Sequence, residues 1–169
     1  MENRNFLIKA ENILLRPFAA EDENDALEIF LSDEVKKTYM LPDFKSKDEA
    51  TALFQRIMKM SLDKDRIVYA IARGRKVIGF INEVDKGEDF IELGYVINPA
   101  YKNNGYATMA LSASIKELKR MGYKTVKAGY FEENIASRRV MEKCGMTQIS
   151  FTEEIEYRGK IHRCIYFEI

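Results

Sequence analysis

The stretch from Phe90 to Tyr130 limits the fold more than any other part of this chain. Phe90 to Ile97 is rich in β-branched, aromatic and other apolar residues and is closed by Pro99, so it reads as a strand. From about Gly105 to Met121, residues Ala107, Ala110, Leu111, Ser114, Ile115, Leu118 and Met121 share one helical face, and Gly122 supplies the stop. Thr125 to Tyr130 is a strand again. A strand–helix–strand connection of this kind implies two parallel strands in one sheet. The fold class is therefore α/β.

The remaining segments add mostly antiparallel partners. Ile13 to Arg16, ended by Pro17, is a first strand, and Ile67 to Arg73 with Val77 to Glu83 flank Gly74-Arg75-Lys76 as a hairpin. Asp85 to Glu88 forms the next turn. Thr147 to Tyr157 and Lys160 to Ile169 flank Arg158-Gly159 as a terminal hairpin. Helices are expected after Glu21, with Ala26, Leu27, Phe30 and Leu31 inward, and from about Ala136 to Cys144, stopped by Gly145. Another follows the capping pair Ser46 and Glu49, burying Ala50, Leu53, Phe54, Ile57 and Met58. No repeat, low-complexity run or linker interrupts the order. At ~100–200 residues per domain, residues 1–169 form a single domain.

Composition removes several function classes. Apolar residues make up 46% of the chain and charged ones 32%, which argues against disorder. The 27 Lys and Arg balance 27 Asp and Glu, so there is no broad electrostatic case for nucleic-acid binding. The longest apolar runs are far shorter than the ~20 residues of a membrane span, and the N-terminus lacks a secretory core, so a cytoplasmic protein is expected. Cys144 and Cys164 have neither redox-pair nor zinc spacing, and His162 is the only histidine. No metal site and no Ser-His-Asp triad are expected. His162 reads as a sheet-packing residue and Cys144 as a core thiol.

The chemistry concentrates in the loop Tyr101-Lys102-Asn103-Asn104-Gly105-Tyr106-Ala107, which opens into the long helix. Gly105 permits close backbone approach, and first-turn amides without internal partners suit a phosphate or pyrophosphate. A tight turn capping the helix is the plainer alternative. The loop is neither a Walker loop nor a dinucleotide fingerprint, which disfavours a nucleoside-triphosphate binder. Six cations lie between Ala100 and Lys127; Lys116, Lys119 and Arg120 read as a solvated face, whereas Lys102 sits in the loop itself. Gly94, inside a strand, suggests a bulge that turns a strand amide outward.

These residues resemble the coenzyme A motif of the GNAT acetyltransferases, in which an Arg/Gln-x-x-Gly-x-Gly/Ala loop follows a bulged strand. Glu92-Leu93-Gly94-Tyr95-Val96-Ile97-Asn98-Pro99 matches the strand, and Lys102 stands where Arg or Gln is usual. Asn134, Ser137, Lys143 and Gly145 resemble the second motif, Asn-x-x-Ser followed by Lys-x-Gly-Phe, with Met146 replacing the phenylalanine. The Gly-Tyr-Ala-Thr wording and the terminal hairpin point to the RimJ/RimL-like branch. The resemblance implies a mixed, mostly antiparallel sheet whose parallel pair splays at the coenzyme site. It implies acetyl-CoA as co-substrate, held by Tyr95, Val96, Ile97, Lys102, Asn103, Asn104, Gly105, Tyr106, Ala107 and Asn134.

The resemblance further implies direct acetyl transfer to a primary amine, either a protein N-terminus or a small molecule. An alkylamine of pKa ~10 must lose a proton before it attacks. Glu92 matches the family's catalytic carboxylate, Glu83 is the reserve base, and strand amides around Tyr95 and Val96 would meet the oxyanion. The tyrosine that many relatives use as acid is replaced by Met141, leaving Ser137 or a water. A CoA-binding module without turnover is the alternative function. The acids of residues 20 to 46 and 152 to 164 suit a cationic acceptor, and the final strand is open to pairing with a second copy.

Overall fold

A computed structural model describes residues 2–169. The strands are β1 (Ile8–Ala10), β2 (Ile13–Arg16), β3 (Val68–Arg73), β4 (Lys76–Lys86), β5 (Phe90–Ile97), β6 (Thr125–Phe131), β7 (Thr147–Tyr157) and β8 (Lys160–Glu168). They form one sheet in the order β1-β2-β3-β4-β5-β6-β8-β7. Every neighbouring pair is antiparallel except β5 and β6. The mixed sheet with one parallel pair is as expected. The helices are α1 (Glu23–Phe30), α2 (Asp33–Lys36), α3 (Lys47–Leu62), α4 (Tyr106–Met121) and α5 (Ile135–Lys143).

Strand alternation divides the core between two faces. Ile91, Leu93 and Ile97 of β5 pack with Ala110, Leu111, Ile115 and Leu118 of α4. Val96, one step out of phase, joins Phe80, Phe30 and Phe54 on the opposite face, beneath α1 and α3. Half of the expected capping box forms on α3. Ser46 Oγ accepts from the Glu49 amide at 3.3 Å, but the Glu49 carboxylate accepts from Lys45 at 2.8 Å instead of the cap residue. Among the described residues no helix is long and apolar enough to cross a membrane.

Several elements depart from the sequence reading. β1 and α2, of three and four residues, are too short to carry a period. The helix expected from Glu21 begins as a 3-10 turn, Ala20–Asp22, pinned by Asp22, whose carboxylate accepts from Arg16 at 2.6 and 2.8 Å and from the Ala19 amide at 2.8 Å. β4 continues past Glu83 to Lys86, and its register shifts between Glu83 and Asp85. The bulge expected at Gly94 therefore lies on the partner strand, at Val84. Gly94 instead makes room, since a Cβ there would lie 3.1 Å from Val84 and 3.5 Å from Tyr39. The last strand, β8, sits inside the sheet, so the edge open to pairing is β7.

Candidate active site

The site begins where β5 and β6 part. Their ladder runs from Phe90 opposite Thr125 to Leu93 opposite Ala128 and then stops. Beyond it β6 pairs with β8, through Gly129 opposite Tyr166, and β5 continues only with β4. The Asn98 amide donates to Ile78 at 2.7 Å, and the register carries that pairing to Val96 opposite Phe80 and Gly94 opposite Asn82. Antiparallel alternation then turns the Tyr95 and Ile97 amides into the gap. The Val96 amide faces β4. Of the two expected oxyanion donors, only Tyr95 is directed into the opening.

One cavity, of about 380 Å³, fills one side of this gap. Tyr95, Val96, Ile97, Lys102, Asn103, Gly105, Tyr106, Ala107 and Asn134 all line it, whereas Asn104 does not. Asn104 holds the loop from outside, its amide donating to the carbonyls of Tyr101 at 3.1 Å and Lys102 at 2.8 Å. Asn103 and Gly105 take φ of +63° and +76°, and Gly105 is the residue that precedes α4. The first backbone bond of the helix runs from Met109 to Gly105 at 3.0 Å. The amides of residues 103 to 108 have no hydrogen-bond partner among the described residues. They form an anion cradle reinforced by the helix dipole.

Lys102, Arg139 and Lys143 line this cavity and no carboxylate does. Lys102 Nζ also sits 2.7 Å from Glu34 Oε1, which ties the loop to α2. Arg139 is a residue that the motif comparison passed over, although its i,i+4 spacing to Lys143 puts both on one face of α5. The remaining cations behave as a solvated face. Lys119 donates to the Lys124 and Ile169 carbonyls, Arg120 pairs with Glu117, and Lys124 pairs with Asp89.

A second cavity, of about 570 Å³, opens on the other side. Glu83, Glu92 and Glu153 line it, and no Lys or Arg does. The Glu83 carboxylate is already engaged, by the Ile67 amide at 2.9 Å, by Lys86 at 3.3 Å and by Arg66, so the reserve base is committed to the fold. Glu153 Oε2 accepts from Tyr166 at 2.8 Å. Glu92 is half-buried, and its carboxylate has no hydrogen-bond partner among the described residues. Burial, followed by the charges of Asp85 and Glu153, raises its pKa above the ordinary carboxylate value, and Lys127 opposes this. Gly129 shapes the wall, because a Cβ there would lie 2.7 Å from the Tyr166 ring.

Thr38, Tyr39, Tyr95, Asn134 and Ser137 line both cavities and form the neck between them. Asn134 Oδ1 accepts from the Ser137 amide at 3.2 Å, which starts α5, and the Tyr95 hydroxyl is 2.8 Å from Ser137 Oγ. Met141 is fully buried in the core. Cys144 is half-buried, its Sγ 3.5 Å from the Thr108 carbonyl, and burial pushes its thiol up to about 11. His162 packs on Phe131 with centroids 4.3 Å apart and meets Glu133 at 2.5 Å. No group of three or more His, Cys, Asp or Glu capable of holding a metal occurs among the described residues.

Residues 12–147 match the family described as the acetyltransferase (GNAT) domain. The uncharacterized N-acetyltransferase YoaA of Bacillus subtilis is 24% identical over 158 residues, covering 90% of this chain and 89% of that protein. A GNAT-family acetyltransferase from Bacillus anthracis superposes with a TM-score of 0.81 at 26% identity, covering 96% of this chain and 97% of the other. The ribosomal L7/L12 α-N-protein acetyltransferase RimL, in complex with coenzyme A, shares the fold with a TM-score of 0.81 at 16% identity, over 96% of this chain and 97% of RimL. A match across most of the chain makes this protein a member of the GNAT acetyltransferase family.

Proposed function

We propose that the protein moves an acetyl group from acetyl-CoA directly to a primary amine that arrives as an ammonium ion. The observation that carries this reading is the pair of oppositely charged cavities that share one neck. The amides of residues 103 to 108 and the cations Lys102, Arg139 and Lys143 suit the phosphates of the coenzyme. The Tyr95 and Ile97 backbone groups, left without a strand partner, suit a pantetheine arm laid in the gap like a missing strand. The Tyr95 amide also suits the carbonyl oxygen as it gains charge.

On the acceptor side, Glu92 takes the ammonium proton, directly or through one water, and its raised pKa makes it a stronger base than an exposed carboxylate. The cavity favours a cationic head, while exposed Met40 and Val84 at its wall offer apolar contact to the rest of the acceptor. That surface suits a protein N-terminus or a small amphipathic amine. The RimL likeness in fold favours the first, within a RimJ/RimL-like branch. Incubation with acetyl-CoA and a panel of amines and ribosomal-protein N-terminal peptides tests the proposal. Acetylated product by mass spectrometry, with stoichiometric thiol release, is the expected result. Thermal protection by acetyl-CoA with no thiol released from any amine would reduce the site to a binding module.

A further inference from the structure

The departing sulfur needs a hydrogen-bond donor, and the position from which a tyrosine usually serves is closed. Met141 is buried in the core and carries no hydrogen to give. Among the neck residues, the Tyr39 hydroxyl is spent on Asn82 Oδ1 at 2.6 Å, while the Thr38 hydroxyl and the Asn134 amide nitrogen are donors with no second hydroxyl to orient them. Tyr95 and Ser137 differ in that their hydroxyls are coupled to each other. The Tyr95 oxygen lies 2.8 Å from Ser137 Oγ and 3.2 Å from the Ser137 carbonyl oxygen. One phenolic hydrogen thus has two acceptors within reach. If it goes to the carbonyl, Ser137 donates back to Tyr95 and its own hydrogen is consumed. If it goes to Oγ, the Ser137 hydrogen is free to point into the neck.

We propose that Tyr95 is a positioning residue for the leaving group: its phenol donates to Ser137 Oγ and so aims the Ser137 hydrogen at the sulfur as the carbon–sulfur bond breaks. This rests on the acetyl-transfer reading above. In the step, the nitrogen–carbon bond forms, and the carbon–sulfur bond breaks with its electron pair on sulfur. The ammonium proton that Glu92 takes first is passed on to water, and as the amide forms the second nitrogen proton passes to Glu92. The sulfur leaves as a thiolate solvated by Ser137 and takes a proton from water after release. Tyr95 keeps its hydrogen throughout, because burial holds the phenol un-ionised far above its ordinary range. The pair is therefore a chain of two hydrogen bonds, each strengthened by the next as charge grows on sulfur. A strand residue, through a serine, does the work of the missing helix tyrosine.

The test varies the acidity of the leaving thiol. Wild type, Tyr95→Phe, Ser137→Ala and the double variant are assayed with acetyl-CoA and with acetyl thioesters of a graded series of thiophenols, using one acceptor amine. Tyr95→Phe is expected to lower kcat with acetyl-CoA by roughly tenfold, with KM for acetyl-CoA within about twofold. The dependence of kcat/KM on thiol pKa should steepen in Tyr95→Phe as much as in Ser137→Ala. The double variant should be no worse than Ser137→Ala alone, since both act on one donor. An unchanged slope in Tyr95→Phe, or losses that multiply in the double variant, would overturn the pairing. Absence of amine-dependent thiol release in wild type would overturn the acetyl-transfer reading instead.

Discussion

The two cavities share a neck but are made of different material. The proposed coenzyme side exposes a run of backbone: the unpartnered amides of residues 103 to 108, and the free edge of β5 beyond Leu93. Its charged side chains all have the same sign. The proposed acceptor side is walled by side chains. Its walls come from Tyr39 and Met40, from Asn82 to Val84, from Glu92 to Tyr95, from Gly129 to Phe131, and from β7 and β8. A backbone cradle recognises what every member of a family shares, since any sequence that keeps the turn keeps the amides. A side-chain wall is free to vary with the acceptor. The contrast assigns common chemistry to one cavity and specificity to the other.

The strongest way to break the comparison is Glu92→Gln. It removes the base and leaves the coenzyme cradle untouched, so kcat should fall by about 100-fold or more while acetyl-CoA affinity stays at the wild-type level. The wild-type rate should rise with pH through a carboxyl pKa above the ordinary value, and that limb should vanish in the variant. The stability sign is the opposite of the usual one for a carboxylate. A carboxyl whose folded pKa is raised contributes stability below its unfolded value and loses it as pH rises through the folded one. At neutral pH the ionised Glu92 therefore weakens the fold, and Glu92→Gln should melt at or above the wild-type temperature. Pre-steady-state rates, pH–rate profiles and melting curves check all three. Full activity of the variant at pH 7 would move proton removal to Glu153 or to solvent.

A glycine on each side sharpens the division. Gly105→Val places a β-branched residue at φ +76° in the cradle, and acetyl-CoA affinity should fall by roughly tenfold or more. Gly129→Ala drives a Cβ against the Tyr166 ring of the acceptor wall. It should raise the acceptor KM and lower stability by about 1–3 kcal/mol, leaving acetyl-CoA affinity unchanged. Calorimetric titration with acetyl-CoA and steady-state kinetics with the amine separate the two. If each glycine weakened both ligands alike, the cavities would be a single site without division of labour.

The same contrast explains what could be read from the sequence. The cradle lies within residues 95 to 108, so strand, loop, glycine and helix appear in order there; Asn104, expected to line it, braces the loop from outside, and Arg139, which lines the same cavity from α5, had no local signal in either motif. The sheet was legible too, because its strands are short β-rich runs bounded by turn residues and its parallel pair is joined by one long amphipathic helix. The acceptor wall was not. Glu153 is 61 residues from Glu92 in sequence, and only the insertion of β8 between β6 and β7 gives them a common cavity. Glu83 looked free in sequence because nothing local shows that Arg66 and the Ile67 amide claim its carboxylate. The misplaced bulge has a related cause. Gly94 signals close approach, but the residue that approaches is Val84 of the partner strand.

The smallest effect concerns Lys102, which is both a cradle cation and a strut. Its ammonium rests on Glu34, and both side chains are about half exposed, so the pair itself adds little to stability. Lys102→Met should weaken acetyl-CoA binding by roughly fivefold at low salt, and the loss should shrink as ionic strength rises. Lys119→Met should leave affinity unchanged, since that ammonium is held on the carbonyls of Lys124 and Ile169, away from the cavity. Glu34→Gln separates the two roles of Lys102. If the lysine acts as a cradle cation, losing its competing carboxylate frees it for phosphate, and affinity should rise slightly. If it acts as a strut, the loop loosens from α2 and affinity falls. The sign of that change, read by titration at two salt concentrations, decides whether Lys102 acts by its charge or by placing the loop.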